Sequence, residues 1–336
     1  MPITYPLGVL KEHLHTREKA GLFDISHMQL FELTGANADA ALAATCPVDP
    51  ALIEKGESKY TLLLNEHAGI IDDLIVTRYA ADRWIIVANA SRAAVDEAQI
   101  GSIVRKHGCS LKALERVFLA IQGPTAVAAA KAAGIDGSDL VFMHGKEHGG
   151  LIITRSGYTG EDGLEIAVDP KDAEALAGKL LAQADVEWIG LAARDSLRLE
   201  SGLCLYGNDM DETTTPVEAS LLWPIPKALR ETGTFNGADA FRAALAKGAS
   251  RKRVGLKPEG RMPVRNGAVL TDPDGKEVGV VNSGGFGPTV NHPVAMGYVK
   301  KSALDAGSPL FADVRGNKIP VTVASLPFTP HRYVKG

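Results

Sequence analysis

Residues 58–90 read SKYTLLLNEHAGIIDDLIVTRYAADRWIIVANA, and this stretch decides the class of the fold. Its three apolar runs are rich in β-branched residues and are separated by the short polar stretches EHAG and AADR. Such spacing is typical of β-strands joined by tight turns. The sequence therefore predicts an antiparallel meander of three strands.

The middle run, GIIDDLIVT (69–77), carries two adjacent carboxylates, Asp72 and Asp73. An ionised carboxylate costs several kcal/mol to bury without compensation, so the pair must lie at an edge, have partners or serve a function. Alternation along a strand predicts two faces, one with Ile71, Asp73 and Ile75 and the other with Ile70, Asp72 and Leu74. We therefore expect the two acids to face opposite ways and not to form a catalytic dyad.

Further elements follow on the C-terminal side of the meander. The glycine-rich stretch LIITRSGYTGEDGLEIAV (151–168) predicts two strands around a turn. Beyond residue 247, short apolar runs separated by Gly, Pro, Asp and Asn indicate a small all-β barrel or sandwich. Helical spacing and end signals predict four helices, at residues 91–106, 124–134, 171–184 and 188–202, the last ended by Gly202.

The composition excludes several classes of protein. A chain of 336 residues with 45% hydrophobic residues indicates a soluble globular protein of two or three domains. The 36 basic and 40 acidic residues give a net charge of -4, which provides no basic field for nucleic acid. Three cysteines far apart, without a CxxC, suggest neither a disulfide framework nor a zinc site. With no signal peptide or membrane span, we expect a cytoplasmic protein.

Glu165 follows the glycine-rich turn GYTGEDG, which lacks the Lys-Ser/Thr of a phosphate-binding loop and lies between two strands. Leu164, Ile166 and Val168 alternate onto one face of the second strand and leave Glu165 on the other. From the pattern alone a solvent-facing Glu165 is favoured. The functional alternative is a carboxylate that accepts two hydrogen bonds from an amidine-like edge of a ligand.

Arg194 and Arg198 lie four residues apart on the predicted helix, so their like charges cost a few tenths of a kcal/mol unless an anion lies opposite. The anion is either a ligand or a nearby Asp195 or Glu200. Taken by itself, His27 is more typical of a core or interface histidine than of a metal ligand.

The strongest basic run of the chain is RKRVGLKPEGR (251–261). Such a run is usually a solvated face, and the alternative is a docking surface for an acidic protein. Its charged members are Arg251, Lys252, Arg253, Lys257 and Arg261.

Taken together, six motifs resemble those of the aminomethyltransferase (T-protein) family of the glycine cleavage system, and they span nearly the whole chain. The GLAARDSLRLE to TTPVE stretch in particular separates this family from other folate-binding families. The motifs are FDISHM (23–28), NEHAGIIDDLIVT (65–77), ALERVFLAIQGP (113–124), RSGYTGEDGLEI (155–166), GLAARDSLRLESGLCLYGNDMDETTTPVEASLLW (190–223) and VASLPFTPHRY (323–333).

The resemblance implies an α+β fold, a three-domain cloverleaf of antiparallel-sheet and helix domains with a small C-terminal β-barrel, around a central hole that takes tetrahydrofolate. Domain 1 is expected at 1–24 plus 124–230, domain 2 at 25–123 and domain 3 at 231–336. It implies transfer of a methylene group from the aminomethylated lipoyl carrier (H-protein) to tetrahydrofolate, with release of ammonia. Metal, nucleic acid and membrane are not expected partners.

The resemblance also implies site residues. The catalytic acid maps onto Asp73, the second of the pair, and Asp72 is expected to face away. Glu165 corresponds to the pterin-binding glutamate, and Arg194 and Tyr333 correspond to further ligand-binding residues. Cleft-lining positions are assigned to Met28, Tyr60, Asn89, Tyr158 and Trp223.

Two other functions share this fold. A folate-dependent demethylase of a small methylated amine or sulfonium is expected to diverge in the ARDSLRLE and TTPVE motifs. A non-catalytic folate-binding accessory protein carries a cysteine-bearing signature that this chain lacks.

Overall fold

The computed structural model describes residues 1–336. The strands in chain order are β1 (Ala20–Asp24), β2 (Gln29–Thr34), β3 (Ser58–Leu64), β4 (Ile70–Ala80), β5 (Arg83–Ala88), β6 (Ser110–Leu114), β7 (Val117–Gln122), β8 (His144–His148), β9 (Leu151–Arg155), β10 (Gly163–Val168), β11 (Val186–Trp188), β12 (Arg251–Pro258), β13 (Val269–Thr271), β14 (Glu277–Gly287), β15 (His292–Lys300), β16 (Leu310–Val314) and β17 (Asn317–Ala324).

Nine α-helices accompany the strands, and none is long and apolar enough to cross a membrane. They are α1 (Val9–Glu18), α2 (Ala38–Thr45), α3 (Ala93–Lys106), α4 (Ala126–Ala132), α5 (Ala173–Leu181), α6 (Leu191–Glu200), α7 (Lys227–Thr232), α8 (Ala238–Lys247) and α9 (Lys301–Asp305). Three 3₁₀ turns are Pro50–Leu52, Ala90–Arg92 and Pro170–Asp172.

The predicted meander is confirmed as β3, β4 and β5, which belong to a five-stranded sheet of order β3-β4-β5-β2-β6. The β3–β4 turn is closed by Asn65, whose Oδ1 accepts hydrogen bonds from the backbone N–H groups of His67 (2.9 Å) and Gly69 (2.8 Å). Such a side chain replaces backbone partners and fixes a tight turn. Helices α2 and α3 pack on one face of the sheet around the fully buried Trp84.

A β-bulge in β4 places Ile70 and Ile71 on the faces opposite to those predicted. Leu63 pairs with Asp72 and the next residue, Leu64, pairs with Ile70, so Ile71 is the extra residue. Ile71 therefore packs with Leu74 in the helix-covered core, while Ile70 packs in the opposite core. The predicted positions of both isoleucines are wrong, because a bulge inserts one residue and reverses the alternation before it.

The second sheet has six strands in the order β11-β1-β7-β10-β9-β8, and only the β1–β11 pair is parallel. Leu164, Ile166 and Val168 of β10 pack with α4 and α5, as their alternation predicts. Strand β7 belongs to this sheet although it lies within the expected domain 2. We therefore propose moving the end of domain 2 from residue 123 to the link between β6 and β7.

The C-terminal barrel is confirmed as a closed structure of six strands in the order β12-β15-β14-β13-β16-β17. Helix α6 packs across β14, where a Cβ atom on Gly284 would lie 1.9 Å from the carbonyl oxygen of Val264. Gly284 is thus required by close packing inside the barrel. Helix α6 ends as predicted before Gly202, which has a φ of 66° that favours glycine.

Residues 231–247 do not belong to the barrel, although the expected domain 3 includes them. Phe235 and Phe241 pack against Leu62 and Leu64 on the face of β3 away from α2 and α3. The barrel itself begins with β12 at Arg251. We propose that boundary in place of residue 231.

Candidate active site

A cavity of about 1580 Å³ lies where the two sheets and the barrel meet. The tertiary structure gathers side chains there from chain positions as distant as residues 28 and 333. All nine residues that the resemblance implies line it: Met28, Tyr60, Asp73, Asn89, Tyr158, Glu165, Arg194, Trp223 and Tyr333.

Asp73 faces the cavity from β4 and is held by two donors. The Tyr60 hydroxyl donates to its Oδ2 (3.0 Å), and the Asn89 side-chain amide donates to its Oδ1 (2.7 Å). Burial and the neighbouring charge of Asp72 raise the pKa of Asp73 to about 7, against the two hydrogen bonds. This carboxyl group can therefore take up or release a proton near neutral pH.

Asp72 faces away from the cavity, as expected, yet it is connected to Asp73. The Asn89 side-chain amide that donates to Asp73 also donates to Asp72 Oδ1 (2.8 Å). The backbone N–H of Asn89 donates to Asp72 Oδ2 (2.9 Å). Although the strand separates the two acids, Asn89 at the end of β5 bridges them.

Glu165 is only 9% exposed and faces the cavity, so the solvent-facing position favoured by its pattern is wrong. Both faces of β10 are covered, because α4 and α5 pack on one side and the cavity residues lie on the other. The Ser156 hydroxyl donates to Glu165 Oε2 (2.6 Å). Burial raises the pKa of Glu165, since it disfavours the charged form.

The two arginines of α6 have different environments. Arg198 forms ion pairs with Asp195 (2.8 Å) and with the buried Asp209 (2.7 Å), so its charge is compensated within the protein. Arg194 instead lies over the ring of Tyr158 at 4.5 Å and forms no ion pair. Burial lowers the pKa of Arg194. An unpaired cation at the wall of a cavity favours an anionic or strongly polar ligand.

Two aromatic stacks border the cavity. Tyr60 stacks on Trp223 with ring centroids 5.2 Å apart, and Trp223 is 67% exposed at the cavity rim. Tyr333 stacks on Phe142 with centroids 3.8 Å apart. Tyr333 reaches this position because the C-terminal tail returns from the barrel and its Val334 carbonyl accepts a hydrogen bond from the Phe142 N–H (2.7 Å).

The basic run is only partly solvent-exposed, which corrects its interpretation as a solvated face. Arg253 is buried and donates to the Ala219 carbonyl (2.9 Å), and Arg251 pairs with Glu218 (3.1 Å). Lys252 and Lys257 remain exposed, and Lys252 also lines the cavity. Two of the five charges thus attach β12 to the preceding segment.

Sequence reasoning missed several residues at or near the site. Cys204 and His144 line the cavity, as does the half-buried His27, and the structure contains no cluster of three or more metal-binding side chains. Asp96 is fully buried in the first turn of α3, behind Asp72. One signal was available, because Asp96 is spaced by four residues from the apolar Ile100 and so lies on the buried stripe of that helix.

Comparison with known proteins gives matches along nearly the whole chain. The family model of the GCVT N-terminal domain matches residues 1–228, and that of the glycine cleavage T-protein C-terminal barrel domain matches residues 251–329. A mitochondrial aminomethyltransferase of Gallus gallus is 41% identical and is aligned over 99% of this chain and 88% of its own length. An aminomethyltransferase of Saccharopolyspora erythraea is 37% identical, over 98% of this chain and 91% of its own.

A solved structure has the same fold over the whole of this chain. The glycine cleavage system aminomethyltransferase T of Bartonella henselae is 55% identical, with a TM-score of 0.97, and the match covers 100% of this chain and 93% of that one. The chain belongs to the glycine cleavage T-protein family.

Proposed function

We propose that this protein is the aminomethyltransferase of a glycine cleavage system. It takes the methylene group of an aminomethylated lipoyl carrier protein, releases ammonia and forms 5,10-methylenetetrahydrofolate. The observation that carries this proposal is the convergence of Asp73, Glu165 and Arg194 on one cavity in a chain of this family. No feature of the cavity favours the demethylase or the accessory protein.

Tetrahydrofolate fits the donors and acceptors that the cavity presents. Glu165 is a buried carboxylate whose protein donor is Ser156, and it can accept hydrogen bonds from the amidine-like edge of a pterin. Arg194 provides a cation without an ion-pair partner, and Tyr333 provides an aromatic face. Polar groups of this kind in a largely apolar cavity fix the orientation of a small ligand.

Asp73 is the proposed catalytic residue. Tetrahydrofolate supplies the nitrogen nucleophile that receives the one-carbon unit. The ionised Asp73 accepts the hydrogen of that nitrogen, keeps its lone pair toward the incoming carbon and stabilises the positive charge that develops. A carboxylate is effective here because the low dielectric of a buried site strengthens its interaction with charge. Tyr60 and Asn89 hold the carboxylate in place.

The lipoyl carrier (H-protein) is the proposed partner. The cavity reaches the surface at Leu52 and Trp223, each 67% exposed, and at Val323, 49% exposed. An apolar rim of this kind suits a flexible, largely hydrocarbon arm that must enter a cavity. The cavity of about 1580 Å³ exceeds the usual range of small-molecule pockets, about 300–1,000 Å³, and so leaves room for an arm beside a folate.

The test is ammonia release from an aminomethylated lipoyl carrier in a single turnover. We expect release that depends on both the protein and tetrahydrofolate, with methylenetetrahydrofolate formed in equal amount. Equal release without the protein would contradict the proposal. A matched reaction with a methylated amine in place of the carrier tests for demethylation.

The cytoplasm is the proposed location. The Gallus gallus relative is mitochondrial by name, whereas the name of the Saccharopolyspora erythraea relative carries no compartment. Fractionation of source cells with an antibody against the protein tests the proposal, and recovery with an organelle fraction would contradict it.

A further inference from the structure

A second carboxyl group lies behind Asp72, on the side away from the cavity. Asp96 is 0% exposed in the first turn of α3, and Asp72 is 0% exposed on β4. The carboxyl groups of Asp72 and Asp96 are neighbours where α3 packs on β4. Neither oxygen of Asp96 receives a hydrogen bond from any N–H or O–H group of the protein.

Such a pair of buried acids requires a proton. Two ionised carboxylates side by side in a buried site repel strongly, so one of them stays protonated. Asp72 is the anion, because Asn89 gives it two N–H donors, whereas Asp96 has none. Burial and the charge of Asp72 raise the pKa of Asp96 to about 9, so Asp96 keeps the proton at neutral pH.

The charged and titratable groups around the pair do not replace that proton. Arg92 lies near Asp96 but uses its guanidinium on the Ile71 carbonyl (2.9 Å) and on Glu212. Cys46 from α2 also faces Asp96, and Tyr206 faces Asp72 from the segment after α6. Asp73, with its own donor Tyr60, is the remaining neighbour.

Asn89 transmits the arrangement of the pair to the cavity. Its two side-chain amide hydrogens go to Asp72 Oδ1 (2.8 Å) and Asp73 Oδ1 (2.7 Å). Because Asp72 also accepts the backbone N–H of Asn89, the amide plane has little freedom. A change in the charge or position of Asp72 therefore reaches Asp73 directly.

We infer that Asp96 is a positioning residue for Asp73: as a neutral acid it donates a hydrogen bond to Asp72, keeps Asp72 anionic and thereby fixes Asn89 against the catalytic carboxylate. This inference rests on the proposed function of Asp73. It assigns a role to a buried acid that does not line the cavity.

The decisive comparison is between Asp96→Ala and Asp96→Asn. Loss of the donor from residue 96 raises the pKa of Asp72 and favours its protonated form, so Asp73 loses part of a neighbouring negative charge. We expect the acidic limb of the kcat/KM profile of Asp96→Ala to move to lower pH by about half a unit or more. Turnover on the alkaline side should fall about tenfold, because Asn89 is no longer fixed, while the Kd for tetrahydrofolate stays within about twofold.

Asp96→Asn keeps an N–H donor toward Asp72 and should restore both the wild-type limb and turnover to within about threefold. The matched control is Asp39→Ala, which removes a carboxylate of the same domain that binds Arg78 and Trp84. It should lower the melting temperature without moving the limb. If the acidic limb of Asp96→Ala does not move, Asp96 has only a structural role and the inference is overturned. The inference is also overturned if Asp96→Asn behaves like Asp96→Ala.

Infrared spectroscopy gives a readout that needs neither turnover nor the alanine variant. The difference spectrum of wild type minus Asp96→Asn at pH 7 should contain the carbonyl stretch of a protonated carboxylic acid. Absence of this band would overturn the inference, whatever the activity. If wild type released no ammonia with tetrahydrofolate, the proposed function would fail, and the band would still decide whether the shared proton exists.

Discussion

Asp73 is a carboxyl group whose ionisation is balanced near neutral pH by its neighbours. Burial and the charge of Asp72 favour the protonated form, whereas hydrogen bonds from Tyr60 and Asn89 favour the ionised form. The outcome, a pKa of about 7, places the group where small changes in its surroundings alter its charge. The residue scale is therefore where the chemistry of this site is set.

Asp73→Asn keeps the shape of the side chain but removes its charge. We expect turnover to fall about 100-fold or more, the usual loss for a charge-stabilising or acid-base group. Tetrahydrofolate affinity should change far less, because the interaction matters mostly in the transition state. Single-turnover ammonia release and titration calorimetry measure the two effects.

The pH profile checks the same assignment independently. The active form is the ionised one, so kcat/KM of the wild type should rise with pH through about 7, and the limb should vanish in Asp73→Asn. Asp72→Asn should leave a limb, displaced to lower pH, because a charge that raises the pKa of Asp73 is gone. A larger loss of turnover in Asp72→Asn than in Asp73→Asn would show that the wrong acid has been chosen.

Glu165→Gln and Arg194→Ala each remove one polar partner of the proposed pterin site. We expect tetrahydrofolate to bind about tenfold more weakly or worse, because an unpaired buried polar group costs about 1–3 kcal/mol. Titration calorimetry measures the Kd, with Glu187→Gln, an exposed carboxylate of β11, as the matched control. Unchanged binding in both site variants would locate the ligand elsewhere.

At the scale of elements, two basic side chains of strand β12 bind groups within the protein and two are exposed to solvent. Arg251 and Arg253 are used inside the protein, on Glu218 and the Ala219 carbonyl, so reversing them would disturb packing and test nothing about docking. Lys252 and Lys257 are the charges that β12 presents to solvent. If the lipoyl carrier is acidic, as the family resemblance implies, these two lysines are where attraction acts.

Lys252→Glu combined with Lys257→Glu should raise the KM for the lipoyl carrier several-fold at low salt. Exposed charges act mainly on the association rate and are screened by salt, so the effect should shrink at high ionic strength. Tetrahydrofolate binding should not change. Lys318→Glu, an exposed lysine of β17 in the same barrel, is the control. Identical carrier kinetics for the double variant and this control would mean that β12 is only a solvated face.

At the scale of the whole molecule, Glu200 joins the barrel to the rest of the chain. Its carboxylate accepts hydrogen bonds from Arg17 (3.2 Å) in α1 and from the Thr289 N–H (2.8 Å) in the β14–β15 turn. It also contacts the buried ring of His13 (3.1 Å). Its backbone carbonyl accepts from Phe328 and Thr329 of the tail that carries Tyr333 to the cavity. Helix α1, the β14–β15 turn and the C-terminal tail thus all meet at Glu200 of α6.

Glu200→Gln should destabilise the protein at pH 7 by about 3 kcal/mol, the scale of removing a buried ion-pair partner. Although burial opposes ionisation, His13, Thr289 and Arg17 hold the pKa of Glu200 at about 2. The Glu200 carboxylate contributes fully to the free energy of unfolding above the pKa of an unfolded glutamate, about 4.3. This contribution is lost as the pH falls toward 2. Burial also lowers the pKa of His13, so His13 costs stability as the pH falls below about 6.5 in both proteins.

Urea unfolding at pH 7 and pH 3 measures this difference. The gap between wild type and Glu200→Gln should narrow by roughly half at pH 3, because the unfolded wild type takes up the proton that the glutamine variant cannot. Asp239→Asn, whose side chain is 99% exposed, is the control and should match wild type at both pH values. If the difference in free energy of unfolding is the same at both pH values, Glu200 does not contribute to the acid sensitivity of the fold.

Several features of the fold can be predicted from the sequence because their cause is local. The meander, the end of α6 at Gly202, the barrel strands and the opposite faces of Asp72 and Asp73 all follow from side-chain period and turn chemistry within a few residues. The family motifs also identify nine cavity-lining residues. A motif specifies which residue occupies each position, even where those positions meet only in the folded chain.

Which side chains lose contact with water cannot be predicted locally, because burial depends on the distant segments that pack against a strand or helix. The bulge at Ile71 forms with the partner strand β3, and the second face of β10 is covered by residues far along the chain. Arg253 is buried because residues 218–220 lie over it, so it lines the cavity instead of joining an exposed basic surface. Asp96 keeps its proton because the fold places it beside Asp72, 24 positions earlier in the chain, and no local pattern specifies that neighbour.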